Sequence, residues 1–477
     1  MKTSSRLTPH PGPLPLEGRG RTPRASAAGQ RGSVLIIVMW IAFGLVSIAL
    51  YFAHSMTFEL RASDNRVAGL EAEQAIEGGA RYVNYVLTTL GTNGAIPDPT
   101  LYQREGVALG QARFWLIGRS DQQVTTTEPY YGLVDEASKL NLNIATTNML
   151  EMLPRMTPEL AAAIIDWRDA DSNFSLGGAE NETYNQLQPA YNCKNAPFET
   201  VDELRLVYGA TLDILYGEDA NMNGVLDPNE NDGNLSLPDD NRDGRLDPGI
   251  FEYVTVYSSQ PNTGRTNATK VSELRPLLQQ TLGDQRASEI LRNVGLITAT
   301  AGGPGKPPTP VVAPTPNFKS VLEFYLNSKM TPEEFSQIAT NLAMTNGPVQ
   351  GLINVNTARA EVLACVPGIG IDNAPSLVGY RQANPDKLYS IAWVADVLDP
   401  ASAKQAGRWL TTESYQFSAD IAAVGHHGRG YSRARFIFDT SDGAPRIQFR
   451  QDLTRLGWAL GSTARQKLLL AKENLSR

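Results

Sequence analysis

The sequence predicts an α+β protein: a long amino-terminal helix, a small antiparallel β head and a large inserted helical domain. Three observations predict this class, namely one long uncharged run, alternating apolar segments near the carboxyl end, and a repeated helical pattern between them. With 477 residues, of which 42% are hydrophobic, the chain is too long for one simple core. We therefore expect more than one domain.

The charge is distributed unevenly along the chain. The formal net charge is −8, yet residues 1–32 carry six Lys or Arg against one Glu, so the remainder is strongly acidic. Nucleic-acid affinity depends on basic side chains that displace counterions from phosphates. We therefore expect divalent cations rather than nucleic acid as partners.

The first element is the uncharged run from Val34 to Ala53, which is long enough to cross a bilayer as a helix. Basic residues precede it, which predicts a cytoplasmic amino terminus and a body on the far side of the inner membrane. Helix-forming residues continue without proline from Thr57 to about Leu90. Residues 33–90 are therefore predicted to form one transmembrane and extended helix.

Arg31 and Gly32 stand directly before the apolar run, where a secretory signal would instead have its cleavage site after the run. This arrangement resembles type IV pilin-like proteins. The resemblance implies that residues 1–32 are a leader, that prepilin peptidase cuts after Gly32, and that Ser33 becomes the new terminus. The glutamate usual at the fifth mature position is Ile37 here. The alternative is an uncleaved signal anchor.

The β head is predicted from two separated parts of the chain, residues 91–140 and 411–477. Residues 112–117 are β-prone, and alternating apolar residues at 415–423, 431–438 and 446–449 predict a carboxyl-terminal meander that the first strand could join. Residues 141–410 would then be an insertion into this head.

The insertion contains a repeated helical pattern. One copy has a helix from Asn141 to Leu153 and a second from Pro158 to Arg168; the other has helices at 353–365 and about 372–381, with a weaker copy at 267–292. The turn with Gly368 and Gly370 resembles the helix-hairpin-helix motif, whose backbone N–H groups can approach a phosphate. Structural use and DNA binding both remain open, and the acidic body favours structural use. Residues 302–316, rich in proline, predict an extended connector.

An acidic segment between Glu218 and Asp247 holds the clearest site chemistry. Its first part fits the twelve-residue calcium loop at every diagnostic position, with Gly224 at the sharp turn. The expected oxygen ligands are Asp219, Asn221, Asn223, Val225 through its carbonyl, Asp227 and Glu230. Calcium is therefore the expected cofactor. The alternative is a solvated acidic loop.

A second loop repeats the first nine positions but has Ile250 where the closing glutamate belongs. Asp240, Glu252 or a carboxylate from the first loop would have to substitute for it. The corresponding positions of this weaker loop are Asp239, Asn241, Asp243, Arg245 and Asp247.

No enzymatic motif is found, so an enzyme is not expected. The four histidines lie at the leader, the membrane edge and a predicted hairpin turn, and neither a nucleophile elbow nor a phosphate loop occurs. Asp166, Asp169 and Asp171 are interpreted as helix caps or as part of the calcium region. Cys193 and Cys365 are either two free thiols or one bridge.

Taken together, residues 32–460 resemble the protein K family of large minor pseudopilins from type II secretion systems. The resemblance rests on the leader site, residues 135–143 and 164–169, the 353–381 hairpin and the closing strands. It implies a pseudopilin fold with an inserted helical domain, bound calcium, association with other minor pseudopilins at the pseudopilus tip, and contact with secreted cargo. The rival interpretation is a membrane-anchored DNA-uptake protein.

Overall fold

A computed structural model describes residues 33–91, 94–119, 128–299, 310–312 and 316–475. The chain divides into two compact units, Met1–Asp64 and Asn65–Arg477. The predicted leader, residues 1–32, lies outside the described residues, as does most of the proline-rich connector.

The secondary structure is mixed, as predicted for an α+β chain. The strands are β1 (Val107–Leu109), β2 (Ala112–Ile117), β3 (Val134–Asp135), β4 (Leu140–Asn141), β5 (Val254–Thr255), β6 (Ser259–Gln260), β7 (Thr266–Asn267), β8 (Ile297–Ala299), β9 (Pro310–Val312), β10 (Leu342–Ala343), β11 (Val349–Gln350), β12 (Ile353–Asn354), β13 (Leu410–Thr411), β14 (Gln416–Val424), β15 (Tyr431–Asp439) and β16 (Arg446–Asp452). The helices are α1 (Ser33–Leu90), α2 (Thr147–Glu151), α3 (Pro158–Arg168), α4 (Asn181–Tyr184), α5 (Leu212–Tyr216), α6 (Val271–Leu282), α7 (Asp284–Asn293), α8 (Val321–Ser328), α9 (Pro332–Ala339), α10 (Ala360–Ala364), α11 (Gly370–Ala383), α12 (Pro400–Ala406) and α13 (Gly461–Leu475).

Helix α1 begins at Ser33 and ends at Leu90, which confirms the predicted long helix. Within the first unit, the large apolar side chains of α1 are exposed from one end of the segment to the other. Among the described residues, α1 is the one helix that is long and apolar enough to cross a membrane. An exposed apolar surface of this size is unfavourable in water and suits a bilayer.

In the second unit, one face of α1 is buried against the β head. Ala72, Ala75, Ile76 and Val83 are each at most 1% exposed and pack with the apolar side chains of β2, β14 and β15. Small side chains dominate this face, so the helix approaches the sheet closely.

The head is a six-stranded antiparallel sheet in the order β1-β2-β14-β15-β16, with β3 also pairing β14. The predicted strand at 112–117 and the carboxyl-terminal meander are confirmed, and β2 joins the meander beside β14. Apolar residues alternate along 415–423, yet every residue of β14 is buried. The reason is a second apolar cluster, with Trp115, Val424 and Leu460, that covers the other face.

The inserted helices share one large hydrophobic core, distinct from that of the head. The predicted helix from Asn141 to Leu153 is wrong in extent, because only Thr147–Glu151 is helical and Leu140–Asn141 is a strand. Asn141 accepts the N–H of Asn143, and this local turn competes with a helix until Thr146 supplies an N-cap. The predicted helix at 353–365 is shortened to α10 in the same way.

Each repeated segment of the insertion begins at one strand of a short parallel pair. The pairs are β4 with β5, β7 with β10, and β12 with β13. The first strand of each pair ends in a buried asparagine, Asn141, Asn267 or Asn354, whose side chain accepts a backbone N–H two residues on. Cys193 and Cys365 are buried free thiols.

Candidate functional site

The first predicted calcium loop follows the short helix α5, and most of its residues are buried or half-buried. Asp219, Asn223, Val225 and Glu230 are each at most 3% exposed. The two carboxylate oxygens of Asp219 accept the N–H groups of Asn223 and Gly224, both at 2.9 Å. Gly224 has a φ of +71°, the left-handed conformation that the sharp turn requires.

The remaining predicted ligands close the loop on itself. Asn221 and Asn223 donate through their Nδ2 atoms to Asp227 Oδ2, at 2.7 and 3.0 Å. Glu230 reaches back with both oxygens, accepting the N–H groups of Ala220 at 3.2 Å and Asp227 at 3.0 Å. The structure therefore brings all six predicted ligand residues into one hydrogen-bonded turn.

The electrostatics of this loop are those of crowded carboxylates. Burial, with the negative charge of Asp219 second, raises the pKa of Glu230 to about 9. Burial also raises the pKa of Asp219, although the nearby guanidinium of Arg119 opposes that shift. In the residues that the structure describes, no three His, Cys, Asp or Glu groups already stand as metal ligands. A calcium ion here would therefore also use amide and backbone oxygens, which is ordinary calcium chemistry.

The second loop repeats the local turns but is exposed. Asn241 accepts the N–H of Asp243, and Asp243 accepts that of Arg245, both at 2.8 Å. Arg245, Asp239 and Asp247 lie at the surface. The sequence pattern therefore folds as the first loop does, without its burial.

Glu218 takes the place of the missing closing glutamate. Its two oxygens accept the N–H groups of Asn241 at 3.4 Å and Asp247 at 3.0 Å, much as Glu230 does in the first loop. Asp240 accepts the N–H groups of Asp232 and Gly233 instead. Glu218 precedes the first loop and was not among the substitutes that the sequence left open, which were Asp240, Glu252 and a carboxylate from the first loop.

Glu252, the third candidate, belongs to a different network. It lies 2.8 Å from Arg119 and 3.2 Å from Arg359. Burial alone would raise the pKa of the Glu252 carboxyl, but these two cations outweigh it and lower that pKa to about 2. It is therefore an ion-pair partner and does not reach the second loop.

Two arginines, the buried Arg433 and the half-buried Arg119, hold the first loop on the sheet, and sequence reasoning missed both. Arg433 of β15, which is 0% exposed, donates to the carbonyls of Asn221 and Met222 and pairs with Asp420. Arg119, just after β2, donates to the same Met222 carbonyl at 2.9 Å. The only signal in the sequence was an arginine inside an apolar strand.

The two predicted helix pairs are held by matching hydrogen bonds. Arg168 at the end of α3 donates to the carbonyls of Leu142 and Ala145, which precede it by 26 and 23 residues. Arg381 in α11 donates to the carbonyls of Val355 and Ala358 at the same two separations. Each arginine thus fastens the second helix of its pair to the turn before the first.

The turn with the two predicted glycines is packed against another helix. Gly368 and Gly370 have φ values of +92° and +67°. A Cβ on Gly368 would lie 2.5 Å from the carbonyl oxygen of Ser402 in α12. The first copy has Arg155 at its turn, also with positive φ and paired to Asp213 at 2.7 Å. The first turn therefore has no glycine, and in the second turn Gly368 is covered whereas Gly370 has open space beside it.

The cleavage site falls at the edge of the described chain. Gly32 lies outside the described residues, and Ser33 is the first residue of α1. Asp169 is the C-cap residue of α3 and donates its backbone N–H to the Ile165 carbonyl, whereas Asp166 lies inside the helix and Asp171 beyond it, so the helix-cap interpretation holds for Asp169 alone.

Residues 135–216 match the family model described as type II secretion system (T2SS), protein K. The predicted resemblance is confirmed. The matched segment contains β3, β4 and the first helix pair, the region that carries residues 135–143 and 164–169 of the predicted resemblance.

Curated relatives carry the same name. Type II secretion system protein K of Klebsiella pneumoniae is 42% identical over 66 residues, covering 13% of this chain and 20% of the relative. The protein K of Pseudomonas aeruginosa is 27% identical over 194 residues, covering 38% and 57%. That of Aeromonas hydrophila is 28% identical over 203 residues, covering 39% and 61%. The chain thus matches less than two thirds of the length of each of these relatives.

A solved structure, the GspK-GspI-GspJ complex from enterotoxigenic Escherichia coli, contains a chain with 11% identity and a TM-score of 0.40. The similarity covers 80% of this chain and 96% of that chain.

Proposed function

We propose that this chain is a minor pseudopilin of a type II secretion system, with a structural rather than an enzymatic role. The observation that carries the proposal is the family match over residues 135–216, on a chain that also has the long apolar helix α1. The proposed task is to assemble at or cap the pseudopilus tip and so support protein export across the outer membrane. Its partners are then other minor pseudopilins and the pseudopilus, with secreted cargo as a further one.

Deletion and complementation test this role. In a bacterium that encodes the chain, its loss should abolish export of type II substrates, and the unmutated chain should restore it. The same strain should lose co-purification of the other minor pseudopilins as one complex. Export at the unmutated level without the chain would contradict the proposal.

The proposed location is the inner membrane, crossed once by α1, with a cytoplasmic amino terminus and a periplasmic body. Prepilin peptidase would remove residues 1–32, so that sequencing of the membrane-extracted protein starts at Ser33. Gly32→Leu should block the cut without disturbing insertion, because the hydrophobic span is unchanged. Gly29→Leu, also in the leader, is the matched control and should be cut normally. A start beyond Ala53 would contradict the pilin interpretation.

Calcium is the proposed cofactor. The donor set of the first loop fits it, because two buried carboxylates lie beside amide and carbonyl oxygens in one turn. Asp219, Asn221, Asn223, Val225, Asp227 and Glu230 would hold the ion. In the weaker loop, Asp239, Asn241, Asp243, Arg245 and Asp247 would be joined by Glu218. The ion would neutralise carboxylates and so stabilise a compact loop; no helix of more than five residues flanks the first loop in the described chain, which suits a static site.

The helix pairs are proposed to be structural helix-hairpin-helix repeats. The alternative function, DNA uptake, needs N–H groups free at the glycine turn. Those of Ile369 and Gly370 instead donate to the carbonyl of Val366, and α12 covers Gly368. Duplex DNA titrated into the detergent-solubilised chain should show no steeply salt-dependent affinity. Such an affinity, lost in Gly370→Asp, would favour the alternative.

A further inference from the structure

The connection between β10 and β11 contains an Asn-Gly pair at the surface. Asn346 and Gly347 are both exposed. The Gly347 carbonyl accepts from Asn262 Nδ2 at 3.0 Å and from the Thr345 hydroxyl at 3.1 Å, so the main chain is held in place. Within the described part of the chain, neither the Gly347 N–H nor Asn346 Nδ2 donates a hydrogen bond. Both nitrogen atoms are therefore available for reaction.

Asn346 also accepts a hydrogen bond from a buried side chain. Its Oδ1 receives the Nδ2 group of Asn267 at 2.7 Å, and Asn267 is only 6% exposed. Asn267 ends β7, as Asn141 and Asn354 end β4 and β12. The Nδ2 groups of those two asparagines donate to carbonyl, hydroxyl or carboxylate oxygens, which belong to Ser258, Asp135 and Ser414. Of the three asparagines, Asn267 is the one whose partner is a side-chain amide.

A second Asn-Gly pair, Asn223-Gly224, lies in a different environment. Asn223 is 1% exposed, and the Gly224 N–H donates to Asp219 Oδ2 at 2.9 Å. The Asn223 side chain accepts from Val225 through Oδ1 and donates to Asp227 through Nδ2. The two nitrogen atoms that are available in the exposed pair are therefore both engaged in the buried pair.

An exposed Asn-Gly pair can form a cyclic imide. The Gly347 nitrogen attacks Cγ of Asn346 and forms a C–N bond; the Cγ–Nδ2 bond breaks, and ammonia leaves with the proton that the attacking nitrogen loses. Water then opens either carbonyl of this succinimide and gives aspartate or isoaspartate. Glycine favours the attack because it has no Cβ to hinder the nitrogen. Negative charge develops on Asn346 Oδ1, where Asn267 already donates, as in an oxyanion hole.

We propose that Asn346 is a site of spontaneous deamidation through a succinimide with Gly347, and that its isoaspartate product releases the buried Asn267. In isoaspartate the main chain runs through the former side chain and is longer, so Oδ1 becomes a main-chain carbonyl oxygen. The Gly347 carbonyl remains bonded to Asn262, and the longer main chain shifts Oδ1 away from Asn267. The buried Asn267 amide then loses its acceptor, which lowers the stability of the folded chain.

Peptide mapping by chromatography and mass spectrometry tests the reaction. The detergent-solubilised full chain is incubated in mildly alkaline buffer below its melting temperature, and a second sample is incubated in denaturant. In the folded chain, Asn346 should become a mixture of isoaspartate and aspartate while Asn223 stays intact. In denaturant, both pairs should react at similar rates, because the difference between them comes from the fold.

Three results of the mapping would overturn the proposal. One is an Asn346 that stays intact in the folded chain while it reacts in denaturant. Another is equal conversion of Asn223 and Asn346 in the folded chain. The third is aspartate without isoaspartate, because that product indicates direct hydrolysis of the side chain and not a succinimide.

Gly347→Ala is the matched variant. A Cβ at position 347 would meet nothing within 4 Å, and Gly347 is not among the described glycines with positive φ, so alanine fits there. Its Cβ hinders the attacking nitrogen, and deamidation at Asn346 should fall to the level seen at Asn223. Incubation should lower the melting temperature of the unmutated chain and leave that of Gly347→Ala unchanged. Equal deamidation in the two chains, or a converted unmutated chain that melts as before, would contradict the proposal.

Discussion

The two acidic loops have almost the same sequence pattern and different surroundings. Asn221 and Asn241 each accept a backbone N–H two residues on, and Gly224 and Gly244 share φ values of +71° and +76°. The first loop is buried against the sheet, whereas the second lies mostly at the surface. The local turn is therefore a property of the sequence, and the burial is a property of what packs around it.

The two loops differ in the carboxylate that closes them and in the arginines that hold their backbone carbonyls. The first loop has its own closing carboxylate, Glu230, and two arginines donate hydrogen bonds to its backbone carbonyls. The second uses Glu218, which lies outside it in sequence. A loop that is anchored and self-closing should bind calcium more tightly than one that is exposed and closed by a neighbour.

The largest effect on stability is expected at Arg433, which holds the first loop on the sheet. Arg433→Met removes the nearer of the two arginines paired with Asp420 and takes away the donor to the Asn221 carbonyl, while the Met222 carbonyl keeps its bond from Arg119; the change should cost about 3–5 kcal/mol of unfolding free energy. Arg242→Met in the exposed second loop is the control and should change stability by less than about 0.5 kcal/mol. Chemical denaturation in detergent measures both. Equal effects would mean that Arg433 does not anchor the loop.

The gain in unfolding free energy on calcium binding should also differ between the two loops, and this effect should be somewhat smaller than that of Arg433→Met. At a hundredfold excess of free calcium over the dissociation constant, each occupied site should stabilise the folded chain by about 2.7 kcal/mol. Asp219→Ala or Glu230→Ala should remove most of the gain from the first loop, because each deletes a charged ligand. Asp239→Ala should matter less. Thermal melts of the unmutated chain that coincide in calcium and chelator would show that both loops are only solvated acidic segments.

Glu218→Gln tests whether the second loop borrows its closing group. The change leaves a backbone N–H of Asn241 or Asp247 without its carboxylate acceptor, at a cost of about 1–3 kcal/mol. It should also remove the calcium of the second loop while sparing that of the first. Glu182→Gln, at an exposed position, is the matched control. An unchanged calcium count in Glu218→Gln would leave the second loop without a closing residue.

Sequence patterns predicted the elements whose signal is local. Helix α1, strand β2 and the carboxyl-terminal meander all follow from hydrophobic periodicity, and the structure confirms them. The first helix of each pair was predicted too long, because Asn141 and Asn354 form side-chain turns that only tertiary pairing of their strands selects. Periodicity does not distinguish these two outcomes.

The site residues also divide into those with a local sequence signal and those that only folding brings together. The loop ligands could be read from spacing alone, because a twelve-residue turn is a local structure. Glu218 and Arg433 could not, since each contacts residues that are distant in sequence and that only folding brings close.

The smallest expected effect compares the two turn glycines. Both have positive φ, so alanine at either position adopts a left-handed conformation that costs about 1–2 kcal/mol. A Cβ at Gly224 would also meet Arg119 Cδ at 3.2 Å, whereas one at Gly244 would meet nothing within 4 Å. Gly224→Ala should therefore destabilise the chain more than Gly244→Ala, by up to about 1 kcal/mol, because the displaced Arg119 also loses its grip on the Met222 carbonyl. Denaturation of the two variants in chelator measures the difference without calcium. If Gly244→Ala lowers the unfolding free energy as much as Gly224→Ala does, the contact with Arg119 adds nothing to the cost of the first turn. The two loops would then differ only in their closing carboxylates.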